Sequence, residues 1–322
     1  MAYTHIFGPV LSGRLGRSLG LDLLGAKICS LDCVYCEVGA TRVLTLSRGP
    51  YVPAQVLLKE LAQFKDQFKN QNGPPLDHIT LGGSGEPCLN LELSAILAGA
   101  KALFPDVPTA VLTNSTLLSD PAVRQDLAQA EVVLPSLDTL VPAEFAAVSR
   151  PHADLTLDGL RQGLLDFRAG FAGRLYLEIL LVHGVNDTAA NLEALAAFIP
   201  ELGPDRVDVV TLTRPGTLPT ARAVDQDTLA AWRKALGQGA APAPTPASDQ
   251  GERGDLRFAE LQDMIASSLA RRPQTATQLA LGLGAPPRLV ASALAELLEA
   301  GRIADRGAGD PDSRGFYGPI QR

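Results

Sequence analysis

The chain has 322 residues, 46% of them hydrophobic, with a formal net charge of -7 and a sequence pI near 5.2. Its length suits roughly two domains with a filled core, and its acidic balance argues against general polyanion binding, because affinity for phosphate backbones rests on surplus Lys and Arg. No apolar run is long enough to cross a bilayer, and MAYTHIFGPV lacks the basic start and apolar stretch of a signal peptide, so a cytoplasmic globular protein with no membrane role is expected.

In chain order, GRLGRS comes first and superficially matches a phosphate-binding loop. Leu11 stands where that loop needs its first glycine and Arg17 where it needs lysine, so it is set aside, with Arg14 and Arg17 kept as candidates for facing an anion. From residue 19 to 236 one pattern repeats about six times: a short apolar run, a glycine-bearing or polar loop, then a helix-spaced stretch. The runs are LGLDLL (19–24), HITLGG (78–83), TAVLTN (109–114), EVVLPS (131–136), RLYLEILLV (174–182) and RVDVVTL (206–212), and they suit strands buried on both faces. Leu57, Leu61, Phe64 and Phe68, and again Leu157, Leu160, Leu164 and Phe167, make single apolar helix faces. The alternation implies an α/β fold with a parallel sheet and right-handed crossovers, either barrel-like or doubly wound.

After Leu236 the composition changes to Ala, Pro, Gly and Ser, and residues 237–255 read as a flexible linker between a domain at 1–236 and a small one at 256–322. In the latter, Phe258, Leu261, Ile265 and Leu269 mark one helix, TATQLALGLG a second, and PPRLVASALAELLEAG a third with proline and glycine boundaries. RIADRGAGDPDSRGFYGPI then reads as a two-stranded wing, which makes the tail a winged helix-turn-helix.

Nearly all the reactive side chains fall where each strand run ends, the face on which parallel α/β barrels gather their chemistry. The first run leads to CSLDCVYCEVG, with Cys29, Cys33 and Cys36 in one loop, and the second to Gly82, Gly83, Ser84, Gly85 and Glu86. The later runs lead to Asn114, to Ser136 and Asp138, to His183 and Asn186, and to Thr211, Thr213 and Arg214. Glu178 lies inside a run, where an unpaired carboxylate would cost on the order of several kcal/mol, so it either lines a polar cavity or pairs with a neighbouring arginine. Three clustered thiols in a reducing compartment point to metal or redox chemistry. Thiolates suit zinc and iron-sulfur clusters alike, and the chain has no second C-x-x-C pair of the kind a zinc site uses.

The C-x-x-x-C-x-x-C loop with Tyr35 before its last cysteine resembles the signature of the radical S-adenosylmethionine (SAM) superfamily. FGPVLSGRLGRSLGLDLL, GGSGEP, LTNSTLL, LPSLD, SRPH, LEILLVHGVND and TRPG extend the resemblance over most of residues 6–216, toward the wybutosine-synthesis-like branch. The resemblance implies a partial (βα)6 TIM-like barrel and a [4Fe-4S] cluster on Cys29, Cys33 and Cys36 whose fourth iron chelates SAM. It further implies a one-electron reductant such as flavodoxin or ferredoxin, and a 5'-deoxyadenosyl radical that abstracts hydrogen from a substrate. By the same resemblance Tyr35 packs against adenine, Gly82 through Glu86 meet the methionine end of SAM, and Asn114, Ser136, Asp138 and Glu178 contact SAM or substrate. Cys88 is then a neighbour of the site, not its missing fourth ligand. One departure is GEPCLN, where relatives tend to carry threonine after the proline.

A second reading is a metal or cluster sensor acting through the tail. Residues 256–322 hold eight Arg, no Lys and seven Asp or Glu, and the third helix offers Arg288 alone, so specific DNA binding is not expected. Docking to a substrate, a protein partner or another subunit is the expected role of the tail. The substrate stays open among tRNA, a protein and a small molecule, and no catalytic residue or target atom is named.

Overall fold

The structure is a computed structural model that describes residues 3–70, 74–237, 258–306 and 315–320. It opens with an antiparallel hairpin, β1 (Ile6–Ser12) and β2 (Gly16–Leu21), and the crossing from β2 to the rest of the sheet carries a short parallel pair, β3 (Ile28–Cys29) with β4 (Val43–Leu44). There follow α1 (Ala54–Asn70), β5 (His78–Leu81), α2 (Leu93–Leu103), β6 (Thr109–Thr113), α3 (Pro121–Leu127), β7 (Val132–Pro135), α4 (Pro142–Ser149) and α5 (Leu157–Gly170). The unit ends with β8 (Arg174–Leu181), α6 (Ala189–Leu202), β9 (Arg206–Thr211) and α7 (Gln226–Ala235).

The main sheet runs β1-β2-β5-β6-β7-β8-β9, and every neighbouring pair after β2 is parallel. All six expected runs are strands of this sheet. The seventh, β1, was not expected: Gly8-Pro9 reads as a turn signal, and the register against β2 does shift between Phe7 and Val10. Helices start where their caps place them, with Thr156, Thr188 and Asp225 accepting from the backbone N–H three residues on.

The sheet curls into a half-barrel, and the hairpin turn reaches across it. The Arg206 guanidinium at the start of β9 donates to the Arg14 carbonyl at 3.2 Å, and the Arg14 side chain pairs with Glu178 on β8. The expectation of strands buried on both faces largely holds for β2, β5, β6, β7 and β9 and needs a correction at β8. Leu175, Leu177, Ile179 and Leu181 are fully buried in the core under the helices, whereas Tyr176, Glu178 and Leu180 are half-buried on the other face, toward the lumen. The floor of that lumen is apolar, formed by Leu15, Ala110, Leu112, Val132, Leu134 and Tyr176.

The remaining elements are α8 (Phe258–Leu269), β10 (Gln274–Thr275), α9 (Ala276–Leu283), α10 (Pro287–Glu299), β11 (Ala304–Asp305) and β12 (Phe316–Gly318), with sheet order β10-β12-β11. Most of the expected linker, from residue 238 on, and the expected wing turn at 307–314 lie outside the described residues. This C-terminal unit packs α8 and α9 onto β1, which would otherwise be a bare sheet edge. Ser267 Oγ donates to the Ile6 carbonyl at 2.9 Å, and Arg17, expected to face an anion, is instead buried and donates to the Gly282 carbonyl at 2.6 Å. Leu261, Ile265, Leu279 and Leu283 join the same apolar core as the half-barrel.

Gly282 shows how closely the two units approach, since a Cβ there would lie 2.7 Å from the Pro9 carbonyl oxygen. A Gly282→Ala change gains about 1 kcal/mol of helix propensity, yet backbone overlap of this kind costs about 1–3 kcal/mol. The net expectation is a less stable protein in urea unfolding, with faster amide exchange in α9 and β1 than in β6 and β7; an unchanged or more stable variant with unchanged exchange contradicts this packing.

Candidate active site

The cysteine loop is held by backbone hydrogen bonds to four surrounding segments. The Cys29 carbonyl accepts from Thr45 N at 2.9 Å, the Ile28 carbonyl from Glu86 N at 3.2 Å, the Val34 carbonyl from Leu218 N at 3.0 Å, and Val34 N donates to the Val148 carbonyl at 3.0 Å. The SRPH and TRPG segments are therefore clasps. Asp32 N donates to the Ser149 carbonyl at 3.0 Å, His152 N to the Ser30 carbonyl at 3.0 Å, and Thr217 Oγ1 to the Cys36 carbonyl at 3.0 Å. Arg150, in the left-handed region at φ 47°, turns its guanidinium onto Asp32.

Cys29 is buried, Cys33 and Cys36 are half-buried, and all are free thiols. Burial pushes the Cys29 and Cys33 thiols up, Cys33 well above its ordinary value, and each is raised further by the neighbouring thiols. Lys27 offsets this, with its ammonium 2.9 Å from Cys36 Sγ. Among the described residues no three His, Cys, Asp or Glu side chains gather closely enough to hold a single metal ion, although the three thiols lie within electrostatic reach of one another. Three cysteine thiols in one loop are the donor type that an iron-sulfur cluster takes.

The GGSGEP turn lies directly against this loop. A Cβ on Gly85 would sit 1.8 Å from the Ile28 carbonyl oxygen, so the close approach requires glycine. Glu86 is buried and its carboxylate is engaged with the protein, accepting from Thr113 Oγ1 at 2.7 Å, Asn114 N at 2.6 Å and Cys88 N at 3.1 Å, while burial pushes its pKa up. Asn114 in turn donates to Ser30 Oγ at 2.9 Å and approaches Cys29 Sγ at 3.4 Å. Cys88 is fully buried, 3.5 Å from Thr113 Oγ1, and lies in the apolar core. Asp22, which the sequence reading did not single out, anchors the turn: it accepts from Ser84 Oγ at 2.5 Å and pairs with Arg271 of the C-terminal unit at 3.2 Å.

On the opposite side, Tyr35 Oη donates to Asp138 Oδ2 at 2.5 Å, and Leu180 N donates to Asp138 Oδ1 at 2.9 Å. Burial pushes Asp138 up to about 6 despite those bonds. Asn186 and Asn191 fix the Asp138 backbone by donating to its carbonyl at 2.9 and 3.0 Å. Ser136 bridges to Glu178 through the backbone, and its carbonyl accepts from Ser115 Oγ at 2.9 Å. Glu178 lines the cavity wall and is also ion-paired, with Arg14 of the hairpin turn and not with an arginine of a neighbouring strand.

That cavity has a volume of about 570 Å³ and occupies the lumen. Of the expected site residues, Tyr35, Cys36, Gly82, Gly83 and Glu178 line it; Asn114, Ser136, Asp138 and Glu86 lie in the hydrogen-bonded rim beside it. Its wall also carries Glu37, Arg214, Arg271 and Arg272, of which only Arg214 was marked from sequence. Nothing local could have revealed the last two, because they reach the lumen only through docking of the C-terminal unit.

A half-barrel with a three-thiol loop over the C-terminal strand ends defines a class of protein built to hold an iron-sulfur cluster beside a lumen. The model of the radical SAM superfamily matches residues 24–199, and the chain belongs to that superfamily. Members of that superfamily use a [4Fe-4S] cluster and S-adenosylmethionine. A UPF0026 protein of Synechocystis is 38% identical over 67% of this chain and 78% of its own length. A protein of Brachyspira hyodysenteriae named GTPase Obg is 30% identical over 94% of this chain, which spans 43% of that protein's length. Among solved structures, TYW1 with a lysine-pyruvate adduct bound shares the fold at a TM-score of 0.52 and 16% identity, covering 71% of this chain and 75% of that one.

Asp138 carries a pH signature. Its folded-state pKa of about 6 exceeds the ordinary 3.8, so the folded protein binds the proton more tightly than the unfolded chain. Stability from this group is present below about pH 4 and is lost as pH rises to about 6, on the order of 3 kcal/mol in total. Asp138→Asn is expected to remove that slope in urea unfolding between pH 4 and 7; parallel curves for the two proteins contradict the assignment.

Proposed function

We propose that Cys29, Cys33 and Cys36 hold the [4Fe-4S] cluster and leave its fourth iron to SAM, in an enzyme of the wybutosine-synthesis-like branch. The observation that carries this reading is the cysteine loop itself, clasped by backbone bonds over the strand ends with Cys36 opening into the lumen. Bound there, the cluster and SAM supply reductive cleavage of the sulfonium and a 5'-deoxyadenosyl radical for hydrogen abstraction. Gly82 and Gly83 leave room beside the turn for the methionine end of SAM, and Tyr35, held by Asp138, presents an aromatic face for adenine. Asn114, Ser136 and Asp138 offer polar groups to the rest of SAM. Glu86 acts indirectly, by tying the turn to Thr113 and Asn114. Glu178, paired with Arg14, belongs to the substrate end of the lumen.

The residues that do not touch ligand exclude water and hold charge. Lys27 places a positive charge 2.9 Å from Cys36 Sγ, and the apolar floor carries no charged side chain that would draw water into the lumen. The order α8-β10-α9-α10-β11-β12 supports reading the C-terminal unit as a winged helix, which in this proposal caps the half-barrel instead of reading DNA. A one-electron reductant such as flavodoxin or ferredoxin and a cytoplasmic setting complete the proposal.

After anaerobic reconstitution the protein should hold four irons and four sulfides and release 5'-deoxyadenosine from SAM under dithionite. Cys36→Ala should lose the cluster and all release. Cys88→Ala should keep both, since its thiol is buried against Thr113. Loss of the cluster in Cys88→Ala, or a loaded wild type that never cleaves SAM, contradicts the reading.

A further inference from the structure

Among the described residues the lumen wall carries five arginines, Arg14, Arg214, Arg233, Arg271 and Arg272, against three carboxylates, Glu37, Glu178 and Asp208. The pairings leave the surplus in one place. Arg14 pairs with Glu178, Asp208 takes Arg206 at 2.7 Å through Oδ2 while its buried Oδ1 has no hydrogen-bond partner among the described residues, and Arg271 pairs with Asp22. Arg233 turns its Nε to the Val209 carbonyl at 3.0 Å.

What remains is a single carboxylate between two guanidiniums. Glu37 takes Arg214 Nη1 at 3.0 Å on one oxygen and faces Arg272 Nε at 3.7 Å on the other, too far for a hydrogen bond. The Nε of Arg214 and the Nε of Arg272 are both buried with no hydrogen-bond partner. Buried donors and a buried surplus cation are costly unless something pairs with them. The strain registers on Arg272, which burial pulls down to about 10, with Arg214 and Arg14 repelling it and Glu37 opposing the fall.

Two planar forks of N–H donors around a shared cavity are the arrangement that grips an oxyanion. We infer that Arg214 and Arg272 form an anion subsite in the lumen and that the substrate is a small molecule carrying a phosphate or carboxylate group. The volume of about 570 Å³ fits a compact ligand enclosed by the protein. Arg214 comes from the loop after β9, whereas Arg272 comes from the turn after α8, so half of the subsite is delivered by the C-terminal unit. That unit therefore contributes to recognition as well as closing the edge at β1. The inference rests on the proposed radical SAM reading only for what is done to the bound molecule.

The test is calorimetric titration of the full-length, cluster-reconstituted, unreduced protein with pyrophosphate and, separately, malonate. Wild type should bind at least one of them, pyrophosphate if the group is a phosphate and malonate if it is a carboxylate. Arg214→Ala and Arg272→Ala should each weaken that binding by about tenfold or more, the worth of a charge-assisted hydrogen bond, with SAM affinity within about twofold of wild type. Arg272→Lys, which keeps the cation but not the fork, should fall between, and serves if the alanine variant does not fold. Arg302→Ala, which removes an exposed arginine of the C-terminal unit paired with Asp263 at 3.0 Å and outside the cavity lining, should bind the anion within about twofold of wild type. The inference is overturned if neither probe binds, if Arg302→Ala weakens binding as much as Arg272→Ala, or if the Arg214 and Arg272 variants weaken SAM by the same factor, since the anion is then SAM's own carboxylate. Anion binding that fails while 5'-deoxyadenosine release persists refutes the subsite alone; release that fails while anions bind refutes the radical reading alone.

Discussion

Everything in the site depends on one close approach, the passage of the Ile28 carbonyl over Gly85. With a side chain at 85 the cysteine loop could not lie on the GGSGEP turn, because its first atom would fall 1.8 Å from that oxygen. The contact sets Cys29 beside the turn and lets Glu86 N donate back to Ile28 at 3.2 Å. From there the order propagates through fully engaged polar groups: Glu86 to Thr113 and Asn114, Asn114 to Ser30 and Cys29. Such a network is worth its burial only when every member is satisfied, and these members are satisfied mainly by one another.

The parts legible in the sequence are those with local signals. The cysteine spacing lies within eight residues, and the six strand runs declare themselves by composition, so both were recoverable from the chain alone. The RLYLEILL run also contained its own correction: its alternation of Leu or Ile with Tyr, Glu and Leu separates a helix-facing side from a lumen-facing side, a distinction that a purely hydrophobic reading blurs. What could not be read is long-range. Asp22 has no motif, and besides the nearby Leu24 and Gly25 amides its partners Ser84 and Arg271 stand 62 and 249 residues away. Arg271 and Arg272 follow an ordinary amphipathic helix, and only its docking on β1 turns them inward.

Charge tells the same story at a different scale. An acidic chain encloses a lumen with more arginines than carboxylates, so net charge describes the outer surface and solubility more than the site. The tail likewise carries almost no net charge over its length, yet it places two guanidiniums against the lumen. A weak DNA-binding profile and a strong role in shaping an enclosed site are compatible, since the two uses draw on different faces of the same small unit.

The central claim is that three thiolates leave one iron of four free to chelate SAM. Mössbauer spectroscopy of protein reconstituted with 57Fe measures this directly, with and without SAM. The account predicts that SAM changes the isomer shift of one iron in four and leaves the other three as they were. A spectrum in which SAM leaves all four irons unchanged, or in which all four are thiolate-ligated before it is added, contradicts it.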